Sequence, residues 1–147
     1  MAHVTMKPAD EPEVARLVIG KRLVHVEHLD HQWNFILDAG TVLSADSEWR
    51  LLDQGRVRVT AQDDGQWFGL ASPVCAATVV QNTLAGRVIR SASVAMGDLT
   101  LDFGDGLALQ ALQLSSGYEA WHLFDKGTAI HCLGGGDLAI EVIAPAS

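Results

Sequence analysis

Cysteine is scarce in this chain of 147 residues, occurring only as Cys75 and Cys132. Two thiols are too few for the disulfide framework of a small secreted scaffold or for the four ligands of a structural zinc. Cys75 falls in a predicted helix and Cys132 in a predicted strand, which reads as two buried thiols. Long apolar runs are missing as well. No stretch approaches the roughly 18 to 20 apolar residues that span a bilayer, and the opening "MAHVTMKPADEPEV" lacks the basic-then-apolar layout of a signal peptide. A cytoplasmic protein with no membrane contact is expected. Basic residues are few, ten Lys and Arg against eighteen Asp and Glu. No basic stripe interleaved with aromatics occurs, so a nucleic-acid partner is excluded. G-x-S-x-G, the P-loop and H-E-x-x-H are all absent, and no catalytic residue or cofactor is assigned.

What is present is a composition able to fold. Apolar residues make up 48% of the chain and charged residues 19%, enough apolar surface to offset ordering entropy in a single domain spanning 1–147. The net charge of −8 is shared evenly, because residues 1–80 and residues 81–147 each carry −4. Such mild acidity suits solubility, and it would also attract a basic protein partner.

Two segments match at a fixed offset. "WRLLDQGRVRV" from Trp49 and "WHLFDKGTAIH" from Trp121 share Trp49/Trp121, Leu51/Leu123, Asp53/Asp125 and Gly55/Gly127, 72 residues apart. Upstream, Gly20/Gly86, Gly40/Gly106 and Leu43/Leu109 match 66 residues apart. The difference is an insertion at "QALQLSSGYEA" in the second half. Internal repeats of approximately 10–70 and 72–143 follow, with Trp49 and Trp121 assigned to the core or to the seam between the copies.

Each copy opens with a helix. In the first, Asp10 or Glu11 caps, Pro12 and Glu13 suit the first turn, Val14, Leu17 and Val18 form a stripe, and Gly20 ends it. In the second, Ser72 is expected to cap, Pro73 to take the first helical position and Gly86 to stop the run. Short strands follow, with apolar residues alternating as in Trp33, Phe35, Leu37 and in Leu99, Leu101, Phe103. The turns "DAG", "DQG", "DDG", "GDG" and "DKG" read as antiparallel connections, and "GGGD" as a wide hairpin turn. The expected fold is α+β: two tandem helix-plus-antiparallel-meander repeats forming one pseudo-twofold β-sandwich or split barrel with two helices. The ends, "MAHVTMKPA" and "IAPAS", are expected to be loose.

Histidine is concentrated in "HVEHLDHQW", where His25, His28 and His31 alternate with Glu27 and Asp30. These are the metal-ligand candidates, although the second copy builds the same hairpin with Ser91, Val94 and Gly97 in their places. On a strand His28 points away from His25 and His31, which favours a polar hairpin over a metal site. Adjacent strand residues also point oppositely, so His131 and Cys132 cannot act as a base and nucleophile pair.

Residues confined to one copy are the better candidates for function. They are Ser115, Ser116, Tyr118 and Glu119 in the insertion, which mix hydroxyls, an amphipathic ring and a charge. Trp67, Asp63 and Asp64 before the second helix are added as helpers. "SSGYEAW" and "IHCLGGGDLAI", through Ser115, Ser116, Gly117, Tyr118, Glu119, Trp121, Gly134, Gly135 and Gly136, resemble a family of small uncharacterised bacterial proteins of actinobacterial type. The resemblance covers much of the chain after residue 17 and rests on an SSGYExW motif and a GGG turn. It implies no catalytic residues; because some members accompany polymorphic toxin genes, it implies a protein that binds another protein.

The first reading is therefore a non-catalytic cytoplasmic binding protein, immunity-like, with a basic toxin as partner. A second is a small-molecule binder or enzyme with a pocket at the repeat seam, using His25, His28, His31 or His122 with a nearby carboxylate. A third is a structural homodimer joined through exposed strand edges.

Overall fold

The computed structural model describes the backbone of residues 2–145 and the side chains of residues 6–143. The first half contains β1 (Ala2–Pro8), α1 (Glu11–Val18), β2 (Leu23–Leu29), β3 (Gln32–Leu37), β4 (Val42–Ala45), β5 (Trp49–Asp53) and β6 (Arg56–Thr60). The second contains α2 (Ala76–Leu84), β7 (Ser91–Ala95), β8 (Asp98–Gly104), β9 (Leu107–Ala111), β10 (Trp121–Asp125), β11 (Thr128–Cys132) and β12 (Leu138–Pro145).

Helix α1 begins where the sequence places it. Asp10 accepts the Glu13 N–H at 2.9 Å and Glu13 accepts the Asp10 N–H at 3.2 Å, a reciprocal cap that satisfies two otherwise orphaned donors. Val14, Leu17 and Val18 are its buried face. Helix α2 starts later than expected, with Cys75 at its N-cap and no contribution from Ser72 or Pro73. The reason is that the Val74 backbone is already engaged, its N–H donating to Gln66 O and its C=O accepting from Gly65, both at 2.8 Å. Asp64 caps from a distance instead, accepting the Ala76 N–H at 2.9 Å.

The strands form two antiparallel sheets. One has seven strands in the order β1-β12-β11-β10-β4-β3-β2, and the other has five in the order β6-β5-β9-β8-β7. The fold is thus α+β, built of two antiparallel sheets and two helices, and no closed barrel forms among the described residues. Four of the five glycine turns connect antiparallel strands; at β5 and β6, Gln54 (φ 54°) and Gly55 (φ 76°) supply the paired positive angles of a two-residue hairpin. "DDG" does not, because Asp63 closes a 3-10 turn on Thr60 and the chain then enters the loop before α2.

Neither sheet belongs to one half of the chain. β4 pairs with β10, placing Ala45 opposite Trp121, and β9 pairs with β5, placing Ala111 opposite Trp49. Ala45 and Ala111 stand 66 residues apart, as do Arg22 and Val88, which form an isolated antiparallel bridge. Both tryptophans are buried, and so are Phe35, Leu51, Leu101 and Phe103, in one core to which both sheets and both helices contribute.

The crossing is also secured by polar contacts. Thr41, fully buried, donates its hydroxyl to Asp125 at 2.9 Å and accepts from the Lys21 ammonium, which lies 3.6 Å from the same carboxylate. The outer edges of β2 and β7 are met by the helices, with α2 against β2 and α1 against β7. Gln81 accepts the Val26 N–H at 2.7 Å and Glu11 the Val94 N–H at 2.9 Å. Helices thus cover edges that would otherwise template further pairing.

The terminal segments are strands. β1 pairs with β12 from Ala2 opposite Pro145 to Pro8 opposite Ala139, so the expectation of loose ends is corrected for residues 2–145. Unpaired, the outer backbone groups of β12 would form an open edge, and β1 satisfies them. Met1, Ala146 and Ser147 lie outside the described residues.

Candidate functional site

The loop carrying Ser115, Ser116, Gly117, Tyr118 and Glu119 connects β9 to β10, and it is tightly held. Gln113 donates from its amide nitrogen to Tyr118 O at 2.9 Å and to Leu133 O at 2.7 Å, while its amide oxygen accepts the Ser115 N–H at 2.8 Å. Ser115 Oγ accepts from the Gly117 and Tyr118 N–H groups at 3.1 and 2.9 Å. The GGG turn backs directly onto this loop. A Cβ added to Gly134 would lie 2.5 Å from the Gly117 carbonyl carbon, and one added to Gly136 would lie 2.7 Å from Met96 O. These two glycines are therefore fixed by the closeness of facing backbones. Trp121 completes the arrangement by donating its indole N–H to Gly97 O at 2.8 Å.

Most of the motif is thus used in building the loop, and what projects is the remainder. Tyr118 is 81% exposed and Glu119 and Ser116 are exposed too. Beneath them lies a cleft of about 280 Å³ whose walls include His31, Asp46, Glu48, Ser115, Tyr118 and Glu119. Three acidic residues, Asp46, Glu48 and Glu119, line this space, and no Lys or Arg lines it. The sequence places His31 with the metal-ligand candidates; the fold brings it to the binding residues instead.

The other sequence candidates lie elsewhere. His28 stacks flat on the buried Trp33 at 3.7 Å between centroids and sits 3.7 Å from Asp64. His25, His28 and His31 are all exposed, and they are not among the described groups that come within metal-ligand reach of one another. Asp63 and Asp64 cap the 3-10 turn and α2 respectively. Trp67 is exposed beside Phe68 and Leu70, on a turn that does not line the acidic cleft.

A second cluster adjoins the cleft through Glu119. His122 on β10 stands directly opposite His131 on β11, and their Nδ1 atoms lie 2.7 Å apart. Glu119 Oε2 is 3.8 Å from His122 Nδ1, and Glu141 on β12 is 3.3 Å from His131 Nε2. Met6, Phe124 and Leu133 form the apolar rim. Burial pushes the His122 imidazole pKa down, against the opposing pull of Glu119. His122 is one of the residues offered for a pocket site, whereas its pairing with His131 escapes the sequence reading. The hairpin register contains that signal: a two-residue turn at Lys126 and Gly127 sets Asp125 against Thr128 and so His122 against His131.

Cys132, next along β11, points inward and is fully buried, with its thiol 3.4 Å from Gly97 O. Burial pushes its pKa up to about 11. It is a packed hydrophobe, as its strand position implies. Cys75, in contrast, is exposed at the N-cap of α2.

A family model described as a family of unknown function (DUF6188) matches residues 14–141. No curated protein and no solved structure matches.

Proposed function

The chain belongs to the DUF6188 family, and we propose that it is a non-catalytic protein-binding module whose contact surface is the acidic cleft beneath Tyr118. The observation that carries this reading is an 81% exposed tyrosine on a loop locked by its own hydrogen bonds, above Asp46, Glu48 and Glu119. A rigid loop loses little freedom on association, so its contacts are not spent on ordering the chain. Tyrosine offers a broad apolar ring with a polar tip, a combination favoured at interfaces.

Charge defines the partner. Three carboxylates in a chain of net charge −8 favour a protein presenting Lys or Arg, with encounter accelerated by attraction and slowed by salt. In the immunity-like form of this reading the partner is a basic bacterial toxin and the complex forms in the cytoplasm. Helix coverage of β2 and β7 disfavours the homodimer reading at those edges. We also infer that the halves descend from one doubled unit, a reading supported by the 66-residue spacing of Ala45/Ala111 and Arg22/Val88 across the two sheets.

The test is capture from an extract of the cells that make the protein, using wild type and Tyr118→Ala/Glu48→Lys as parallel baits. The expected result is a basic protein held by the wild type at low salt, released by high salt and missing from the variant. Identical sets of proteins on the two baits would overturn the reading.

A further inference from the structure

We propose that Glu119, His122 and His131 form a binding site for a divalent transition-metal ion of the zinc class, with Glu141 orienting one of its histidines. One nitrogen from each imidazole and one carboxylate oxygen lie within 4.8 Å of one another, the span of three groups converging on a common centre. The strands fix this convergence. His122 and His131 are a directly opposed cross-strand pair, and Glu119 precedes β10 by two residues on the locked insertion loop.

The hydrogen bonds assign the ring atoms. Glu141 can only accept, so the 3.3 Å contact places a proton on His131 Nε2 and leaves His131 Nδ1 with a free lone pair. That lone pair faces His122 Nδ1 at 2.7 Å, which donates to it when no metal is bound. Moving the His122 proton to its other nitrogen leaves two lone pairs facing one point, with Glu119 as the third ligand. A carboxylate behind a ligating histidine is the usual outer partner in such sites.

The distances require only a small adjustment. Two nitrogens bound tetrahedrally at about 2.0–2.1 Å from zinc sit roughly 3.4 Å apart, so the pair must open by well under 1 Å from 2.7 Å. Two imidazoles and one carboxylate suit zinc and its neighbours, whereas calcium and magnesium prefer all-oxygen sets. The cluster opens to solvent between Met6, Phe124 and Leu133, which leaves room for water at a remaining coordination position. The site is independent of the protein-binding reading, although Glu119 lines both spaces.

The experiment is titration of untagged, chelator-stripped protein with zinc chloride against a competing chromophoric chelator. Cobalt chloride serves as the spectroscopic probe of geometry. One zinc per chain is expected, with a cobalt d–d band of tetrahedral intensity. His122→Ala and His131→Ala should each weaken zinc by on the order of 100-fold or more, since each removes one of three ligands. Glu141→Gln, which keeps all three ligands, should weaken it by about 10–100-fold. His25→Ala/His28→Ala should bind as wild type does. If a histidine variant fails to fold by circular dichroism, Glu141→Gln and the cobalt spectrum decide. No stoichiometric zinc at micromolar concentration, binding lost in His25→Ala/His28→Ala, or affinity indifferent to both His131→Ala and Glu141→Gln would each overturn the proposal.

Discussion

Trp121 and Trp49 allow a single hydrogen bond to be weighed inside one protein. Each is buried, and each stands opposite an alanine on a strand from the other half, Ala45 for Trp121 and Ala111 for Trp49. Phenylalanine at either position removes the same atoms, with a packing loss on the order of 2–3 kcal/mol in each case. The indole N–H groups differ. Trp121 donates to Gly97 O at 2.8 Å, whereas the buried Trp49 N–H meets no protein acceptor among the described residues.

Trp121→Phe therefore adds the loss of a bond contributing about 0.5–1.5 kcal/mol, while Trp49→Phe removes a donor whose unmet burial costs about 1–3 kcal/mol. The Cys132 thiol remains near Gly97 O at 3.4 Å, but a thiol is a weak donor and replaces little. Trp121→Phe should be the more destabilising by about 3 kcal/mol. With a urea slope of roughly 1–3 kcal/mol per molar, the two unfolding midpoints should differ by about 1.5 M at equal slopes. Equal midpoints, or a lower midpoint for Trp49→Phe, would refute this reasoning.

Gly134→Ala should lower stability by about 1–3 kcal/mol because its new methyl meets the Gly117 backbone at 2.5 Å, whereas Gly117→Ala meets nothing within 4 Å and should unfold within about 1 kcal/mol of wild type. Thermal melts of the two alanine variants check this. Asp64→Ala should cost about 0.5–2 kcal/mol through the lost cap on Ala76, seen as a lower urea midpoint. With a thiol reagent at pH 8 the native protein should titrate one cysteine, Cys75, and the denatured protein two. Because the folded pKa of Cys132 lies above its unfolded value, the associated stability is fully present below about pH 9 and is lost as pH rises towards 11. Stability that rose between those values would contradict it.

Local physics was readable wherever one signal dominated. The Asp10, Pro12 and Glu13 pattern located α1, and the alternation of Trp33, Phe35 and Leu37 marked a buried strand face, because capping and pleat act over a few residues. Ser72 and Pro73 misled because they look like a helix start, while the pairing of Val74 with Gln66 that delays α2 is a contact across a loop. β1 was missed for a similar reason, since only β12, at the far end of the chain, explains it. At the site, Tyr118 and Glu119 stand out because their stretch has no counterpart in the first half of the sequence. The approach of Asp46, Glu48 and His31 needed the fold, because strands β4 and β10 are far apart in the sequence and meet only as neighbours in the sheet.

The central claim, a basic protein bound at the Tyr118 cleft, is tested most directly by the affinity of the captured partner, measured by titration calorimetry at low and high ionic strength. Affinity should fall as salt rises, and Tyr118→Ala should weaken it by about tenfold or more, as expected for an aromatic anchor. An affinity that ignores both salt and the loss of the Tyr118 ring would contradict it.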